Sequence, residues 1–205
     1  MQPKLSVNWK ATDQVTLFSS YGYGFRSGGF NSTGVNATVE LYYSGLCLGD
    51  TRPPPVNFPV CTGNNRSLQN VNDDFEKEVS KAFEAGFKAL LLDGSLAVNG
   101  AVFQTDLENM QFFNFFAGPF GLLRVVTNAE EASIQGFELD ARWRATEWLT
   151  LFAGYGYTDT EIDRYDGRPY TKGNKIPYAP EYTGNAGIDV SFPIGAGDWT
   201  VNARL

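Results

Sequence analysis

The sequence contains no histidine and has few cations for its length, and both shortages exclude classes of function. Without imidazole, a histidine general base, a histidine-ligated zinc ion and a histidine-ligated haem are all excluded. The 205 residues include 16 lysines and arginines against 23 aspartates and glutamates, a formal net charge of −7. Because nucleic-acid binding needs a basic surface that displaces counterions from phosphates, we predict no nucleic-acid partner.

Long hydrophobic runs are also missing. A membrane-spanning helix needs about 18 to 20 consecutive apolar residues, and the longest apolar cluster, residues 112–123, is interrupted by Asn114, Gly118, Pro119 and Gly121. A helical membrane protein is therefore excluded, whereas a β-barrel, whose strands are apolar only at alternate positions, is not. The first residues show no charged segment followed by an apolar one, so we expect the chain to begin within a longer protein.

The chain is instead rich in aromatic residues, which make up 15% of it, and in glycine, with 22 residues. This mixture is typical of twisted β-sheet that contacts lipid or a partner. The sequence also repeats itself, because residues 5–25 and 139–159 are identical at ten of 21 aligned positions. The two segments are predicted to be one structural unit used twice.

Both copies of the repeat alternate between apolar and polar residues on either side of a short polar turn, the pattern of a β-hairpin. In the second copy, Leu139 and Trp143 share one face of a strand, and Glu138, Asp140 and Arg142 share the other. In a dry core each unpaired charge would cost several kcal/mol, so the charged face must contact water or a polar partner.

Two further hairpins are predicted. Residues 83–91 alternate and lead through a tight turn at Asp93 and Gly94 into a strand over 95–107, whose facing stays open because both its faces carry apolar residues. Residues 185–192 alternate and lead through a turn at 193–198 into a last strand.

Residues 78–84 also suit a surface helix, but the unbroken alternation favours a strand. The water-facing residues predicted from these hairpins are Glu84, Lys88, Glu138, Asp140, Arg142 and Asp189.

The connections at the two ends of these strands differ in length. Those at one end are short, at 11–14, 93–94, 145–147 and 193–198, whereas those at the other end are long, at about 26–74, 111–123 and 162–181. This asymmetry is typical of an outer-membrane barrel. Tyrosines lie near the long loops and tryptophans near the short turns, which is explained either by two aromatic girdles at membrane interfaces or by ordinary cross-strand pairing.

Cys47 and Cys61 both fall in the longest loop, on either side of three prolines. A disulfide between them would require an oxidising compartment, and two free thiols are the alternative.

Acidic residues give no strong catalytic or metal-binding motif. The segment 159–167 departs from the calcium-loop pattern, because its glycine is at the ninth position instead of the sixth. Glu130, Glu131 and Glu138 include two carboxylates of the kind that a glycoside hydrolase needs, but they lie on an alternating strand that implies no cleft. We therefore predict no enzyme activity, no metal and no cofactor.

Several ordered segments resemble the C-terminal β-barrel of TonB-dependent outer-membrane receptors. The most recognisable is the strand at residues 128–140, and the others, in the same order as in the family, are 21–31, 84–88, 148–151, 155–160 and 173–180. The resemblance implies an all-β fold, an antiparallel up-and-down transmembrane barrel segment of about eight strands from a barrel of about 22. It further implies that residues 1–205 are a partial barrel without a plug domain, in the outer membrane, with the water-facing residues directed into the lumen.

The same resemblance implies active uptake of a bulky, scarce ligand, most often a ferric siderophore, energised by the TonB complex through an N-terminal region that this chain lacks. Its partners would be outer-membrane lipid, TonB and the ligand. Loop residues whose aromatic or cationic character suits an anionic ligand are Arg26, Tyr42, Tyr43, Arg52, Phe112, Phe113, Phe115 and Phe116. Loop packing is the alternative role for most of them. The alternative function is a soluble or secreted β-rich module that binds carbohydrate or protein.

Overall fold

The computed structural model describes residues 2–43, 71–118, 120–194 and 197–204. Cys47, Cys61 and Arg52 therefore lie outside the described residues. Eight long strands make up most of the described residues. They are β1 (Lys4–Lys10), β2 (Val15–Arg26), β5 (Glu78–Leu91), β6 (Leu96–Gly118), β7 (Gly121–Arg144), β8 (Leu149–Arg164), β9 (Tyr182–Ile194) and β10 (Gly197–Arg204).

These strands form one antiparallel sheet, and each pairs with the next long strand along the chain, in the order β1-β2-β5-β6-β7-β8-β9-β10. The predicted all-β, up-and-down architecture of about eight strands is thus confirmed. The sheet is open, with β1 and β10 at its edges. The strand at β5 is also confirmed over the alternative of a surface helix.

The connection between β2 and β5 contains three short elements, β3 (Gly29–Phe30), α1 (Val35–Tyr43) and β4 (Asp74–Phe75), of which β3 and β4 pair with each other. Sequence reasoning missed α1. The connection between β8 and β9 contains only a short 3-10 helix, Pro169–Thr171. No helix in the described part of the chain is both long enough and apolar enough to cross a membrane.

Strand register separates the sheet into two faces, because residues paired directly across an antiparallel sheet point to the same side. One row, which we assign to the apolar face, runs through six strands: Trp9, Leu17, Phe87, Gly100, Leu139 and Tyr155. A row on the opposite, polar face runs through Lys88, Asn99, Asp140, Gly154 and Asn185.

The register also settles the facing of β6, which its sequence left open. Val98 and Val102 pair with Ala89 and Ala85 and so lie on the apolar face. Asn99 and Phe103 lie on the polar face. None of the described elements covers the apolar face, and large side chains such as Leu139 are about half exposed on it.

The predicted long loop over residues 111–123 is wrong. Residues 110–118 of β6 pair with 121–129 of β7, so the two strands continue as a two-stranded ribbon. The glycines and Asn114 do not break the strands. Gly118 and Gly121 instead close a tight turn, where Gly121 has a φ of 89° that favours glycine, and Asn114 is buried within β6. The turn between β9 and β10 is likewise shorter than predicted, since pairing reaches Ile194 and Gly197.

Candidate functional site

The ribbon formed by residues 109–130 of β6 and β7 extends beyond both neighbouring strands. Pairing with β5 ends at Glu108, and pairing with β8 ends at Glu131. Asn109 has a φ of 55°, and the register of β7 shifts between Glu131 and Ala132. The ribbon is therefore set off from the main sheet by irregular backbone at Asn109 of β6 and at Asp163 of the neighbouring strand β8, which the β7–β8 pairing skips.

One face of the ribbon, its covered face, carries two hydrophobic clusters. The upper cluster joins Val35 and Val39 of α1 to Phe116 and Val125 of the ribbon, and all four residues are buried. Val35 and Val39 lie on one side of the helix because they are four residues apart. Helix α1 therefore packs directly on the ribbon.

The lower cluster attaches the second long connection to the same covered face. Tyr165 and Ile176 are buried in it, and the Tyr165 ring stacks on Phe112 with centroids 6.0 Å apart. The cluster includes Leu107, which lies on the polar face of the sheet in the same row as Ala132. The covered face of the ribbon is consequently continuous with the polar face.

A buried polar network lies between these clusters. The Tyr165 hydroxyl is 2.6 Å from Thr127 Oγ1, and Asn114 Nδ2 donates to the Tyr165 hydroxyl at 3.1 Å. Asn114 also donates to Thr127 Oγ1 at 2.5 Å. Because each buried polar group has partners, the network avoids the cost of unsatisfied hydrogen bonds and joins the β8–β9 connection to both ribbon strands.

Asn31 joins the first connection to the free edge of β7. Its Nδ2 donates to the Val126 carbonyl at 2.9 Å, and its Oδ1 accepts from the Val126 N–H at 2.8 Å. Asn31 Nδ2 also donates to the Asn72 carbonyl at 2.8 Å. The side-chain amide of Asn31 thus takes the place of the missing neighbouring strand.

The β8–β9 connection is tied to the end of β8. The Ile176 N–H donates to Thr160 Oγ1 at 2.9 Å, and the Ile162 N–H donates to the Asn174 carbonyl at 2.9 Å. Lys175 forms an ion pair with Asp159. The hydrogen bond to Asp159 raises the pKa of the Lys175 ammonium above its ordinary value.

The predicted ligand-contacting residues do not form one surface. Arg26 is about half exposed, pairs with Glu78 and donates to the Gln111 carbonyl at 3.3 Å. Phe112 and Phe116 pack inside the two clusters. Phe113 and Phe115 are exposed on the opposite, open face of the ribbon. Tyr42 and Tyr43 end α1, and their side chains lie outside the described residues.

Sequence reasoning missed other exposed groups at this end of the sheet. Arg124 lies 3.9 Å above the Phe113 ring on the open face. Phe30 and Tyr170 are exposed, and Tyr178 is fully exposed with a φ of 64°. The two prolines near Tyr178 are a sequence signal for an exposed turn there, whereas the proximity of Arg124 to Phe113 follows only from register.

The polar face holds all six residues predicted to face water, namely Glu84, Lys88, Glu138, Asp140, Arg142 and Asp189. Asp140 accepts from Asn99 Nδ2 at 2.7 Å, and Arg142 pairs with Asp189 at 3.1 Å. A groove of about 270 Å³ lies between Glu138 and Asp140 on β7 and residues 183–185 on β9, over two glycines of β8.

The glutamates considered for glycoside hydrolysis do not converge. Glu131 pairs with Glu108 on the apolar-face side and bonds to Arg164 at 3.0 Å, whereas Glu138 is on the polar face. Glu130 accepts the Asp166 N–H at 2.9 Å. In the described ranges, no three acidic or cysteine side chains are arranged to hold a metal ion.

Comparisons with known proteins agree on one family. A family model described as "TonB dependent receptor-like, beta-barrel" matches residues 1–205. The chain is 32% identical over 111 residues to the metal-pseudopaline receptor CntO of Pseudomonas aeruginosa, which covers 54% of this chain and 15% of the receptor. It is 29% identical over 115 residues to the probable TonB-dependent siderophore receptor PiuA of Acinetobacter baumannii, covering 56% of this chain and 14% of that protein.

Among solved structures, the ferric yersiniabactin uptake receptor FyuA of Yersinia pestis superposes with a TM-score of 0.62 at 18% identity, over 97% of this chain and 24% of the receptor. This similarity shows a shared fold. The chain therefore spans about a quarter of that structure and a smaller share of the curated relatives.

Proposed function

Because the chain belongs to the TonB-dependent receptor β-barrel family, we propose that it is part of a receptor that takes up a ferric siderophore with energy supplied through TonB. The family consists of outer-membrane receptors of Gram-negative bacteria, and its characterised relatives are transport receptors rather than enzymes. The observation that carries the proposal is the match of the family model over all 205 residues. Siderophore receptors among the sequence and structural relatives support this ligand class.

We propose that the apolar face contacts lipid and the polar face lines the lumen. Exposed Leu139 and Val7 on one side of the sheet suit the hydrocarbon region, and alternating strands with one apolar face are what a membrane barrel requires. The charged pair Arg142 and Asp189 on the other side suits a water-filled interior. TonB itself would engage a part of the receptor outside this chain.

At the loop end, the ribbon acts as a platform for the mouth of the receptor. Its covered face continues the polar face and is occupied by α1 and Tyr165. Phe112 and Phe116 therefore support the platform through packing, and Phe113 and Phe115 lie on its outer side. Arg26 lies on the polar-face side of the sheet. Among the predicted ligand-contacting residues whose side chains are described, it is the one that we propose contacts an anionic ligand.

Uptake in a cell that carries the full-length gene tests the proposal. Deleting the gene should abolish growth on the ferric siderophore as sole iron source, and deletion of tonB should do the same. A plasmid copy of the receptor should restore growth in the first strain only. Growth that persists after deletion of the receptor gene would contradict the proposed ligand.

A further inference from the structure

Two arginines flank one phenylalanine on the polar face near the short-turn end of the sheet. Arg142 of β7 pairs with Phe152 of β8, Phe152 pairs with Gly187 of β9, and Gly187 pairs with Arg204 of β10. The guanidinium carbons of Arg142 and Arg204 are each 5.9 Å from the centroid of the Phe152 ring. The four residues therefore form one continuous row across the sheet.

Gly187 allows this arrangement because it has no side chain. A Cβ at position 187 would collide with Phe152 Cζ, so the ring extends over the glycine towards β10. Both guanidinium groups thereby lie near one aromatic ring, each with its carbon 5.9 Å from the ring centroid, and an aromatic ring favours a nearby cation.

Packing of the ring does not require the two cations. In the first copy of the repeat, Phe18 occupies the position of Phe152 and also lies over a glycine, Gly86. The residues that flank that row are Asn8 and Ala101 instead of two arginines. The paired arginines therefore distinguish the row of Phe152 from the row of Phe18, whose ring has one described cation near it, Lys88 at 5.7 Å.

The charges of this row are only partly neutralised. Arg142 Nη2 bonds to Asp189 Oδ2 at 3.1 Å, which orients one guanidinium while its side chain stays 62% exposed. Arg204 has no carboxylate partner among the described residues, and its residue is exposed. Among the described residues, the row therefore presents one guanidinium group oriented by a carboxylate and one without a carboxylate partner. Guanidinium groups are the donors that recognise carboxylates and phosphates.

We propose that Arg142, Phe152 and Arg204 form an oxyanion-binding site on the polar face, which takes a carboxylate or phosphate group. The proposal depends on the proposed function for one premise only, namely that the polar face points into the lumen. The oxyanion comes either from a solute in the lumen or from a carboxylate elsewhere in the same protein, and the experiment distinguishes these sources.

The test uses the full-length receptor in detergent and inorganic phosphate as the probe, titrated calorimetrically at an ionic strength held constant with chloride. Arg204→Gln should weaken phosphate binding about tenfold, because it removes charge-assisted hydrogen bonds, and Arg204→Lys should weaken it less. The matched control is Lys88→Gln, which removes a single cation from above Phe18 and should leave binding within about twofold. Arg142 is tested together with Asp189→Asn, so that no uncompensated carboxylate remains.

If the oxyanion comes from the protein itself, the unmodified receptor will not bind phosphate, but Arg204→Gln will lower the unfolding temperature more than Lys88→Gln does. Either result supports the site. The proposal is overturned if phosphate binds equally to the Arg204→Gln variant, or if phosphate fails to bind and the two variants unfold at the same temperature. Because these readouts need no transport, they are independent of the uptake experiment.

Discussion

On the polar face, each of three glycines lies beneath one aromatic ring of a neighbouring strand. Phe18 lies over Gly86, Phe103 over Gly136 and Phe152 over Gly187, each ring reaching across to the neighbouring strand. A glycine weakens a strand because it has no side chain to pack, and an aromatic ring laid over it restores contact area. These glycines therefore contribute to packing because their missing side chains leave room for an aromatic ring.

Replacing Gly136 with alanine should destabilise the protein by about 1–3 kcal/mol through overpacking. The new Cβ would collide with the Tyr157 carbonyl oxygen and would lie 2.7 Å from Phe103 Cζ. The full-length receptor in detergent would be heated, and loss of the folded band on a gel would be followed.

The control for this substitution is Gly184→Ala, where the nearest atom to an added Cβ is the Gly154 carbonyl oxygen at 3.7 Å. Equal unfolding temperatures for the two variants would show that the Phe103 contact does not constrain position 136.

Among the elements, the β6–β7 ribbon organises the loop end. Helix α1 packs on it through Val35 and Val39, and the β8–β9 connection packs on it through Tyr165. Two segments that are distant in sequence thus share one support. Loops attached in this way open less readily than loops with few buried contacts.

Removing the side-chain amide of Asn31 should release the β2–β5 connection from the ribbon. Asn31→Ala deletes both hydrogen bonds to the Val126 backbone and leaves those groups to water, at a cost of about 1–3 kcal/mol. Limited proteolysis of the receptor in detergent should cut this connection several times faster in the variant.

Asn36→Ala is the matched control, because Asn36 bonds to Asp73 through its backbone N–H, which alanine keeps. Unchanged cleavage of the Asn31→Ala variant would mean that α1 packing alone holds the connection in place.

For the whole molecule, the decisive property is the difference between the two faces of the sheet. Among the residues that the structure describes, none covers the apolar face, which is rich in aromatic side chains, whereas the polar face carries charge and a groove. A soluble sandwich would cover the apolar face with a second layer. An outer-membrane barrel leaves that face to lipid.

Spin labels at two adjacent residues measure this difference directly. A label on Leu139→Cys should be accessible to oxygen, which partitions into lipid, and one on Asp140→Cys should be accessible to a water-soluble nickel chelate. The two residues are neighbours on β7 and face opposite ways. Identical accessibility at both positions in the reconstituted receptor would contradict the assignment of the faces.

The alternation of residue types was sufficient to predict most of the strands and the composition of each face. Successive side chains of a strand point to opposite sides of the sheet whatever the neighbouring strands are. Backbone geometry alone therefore places Glu138 and Leu139 on opposite faces. The 111–123 loop was wrong for a related reason. Whether residues 111–123 continue as strand depends on a partner strand long enough to pair with them, and local residue types do not report that pairing.

Helix α1 was missed because Val35 and Val39 are poor helix formers in isolation, and their burial against Phe116 stabilises the helix. Its stability is a tertiary effect that local composition does not report.

The sequence by itself determined the fold class, the two faces and the family, because alternation and motif order are local properties of the chain. Only the tertiary structure decided which residues meet. Arg142 and Arg204 are separated by two intervening strands, and their positions beside Phe152 depend on the register of three strand pairs. A shift of one residue in any pair would turn the side chains of that strand to the other face, and long-range pairing sets that register.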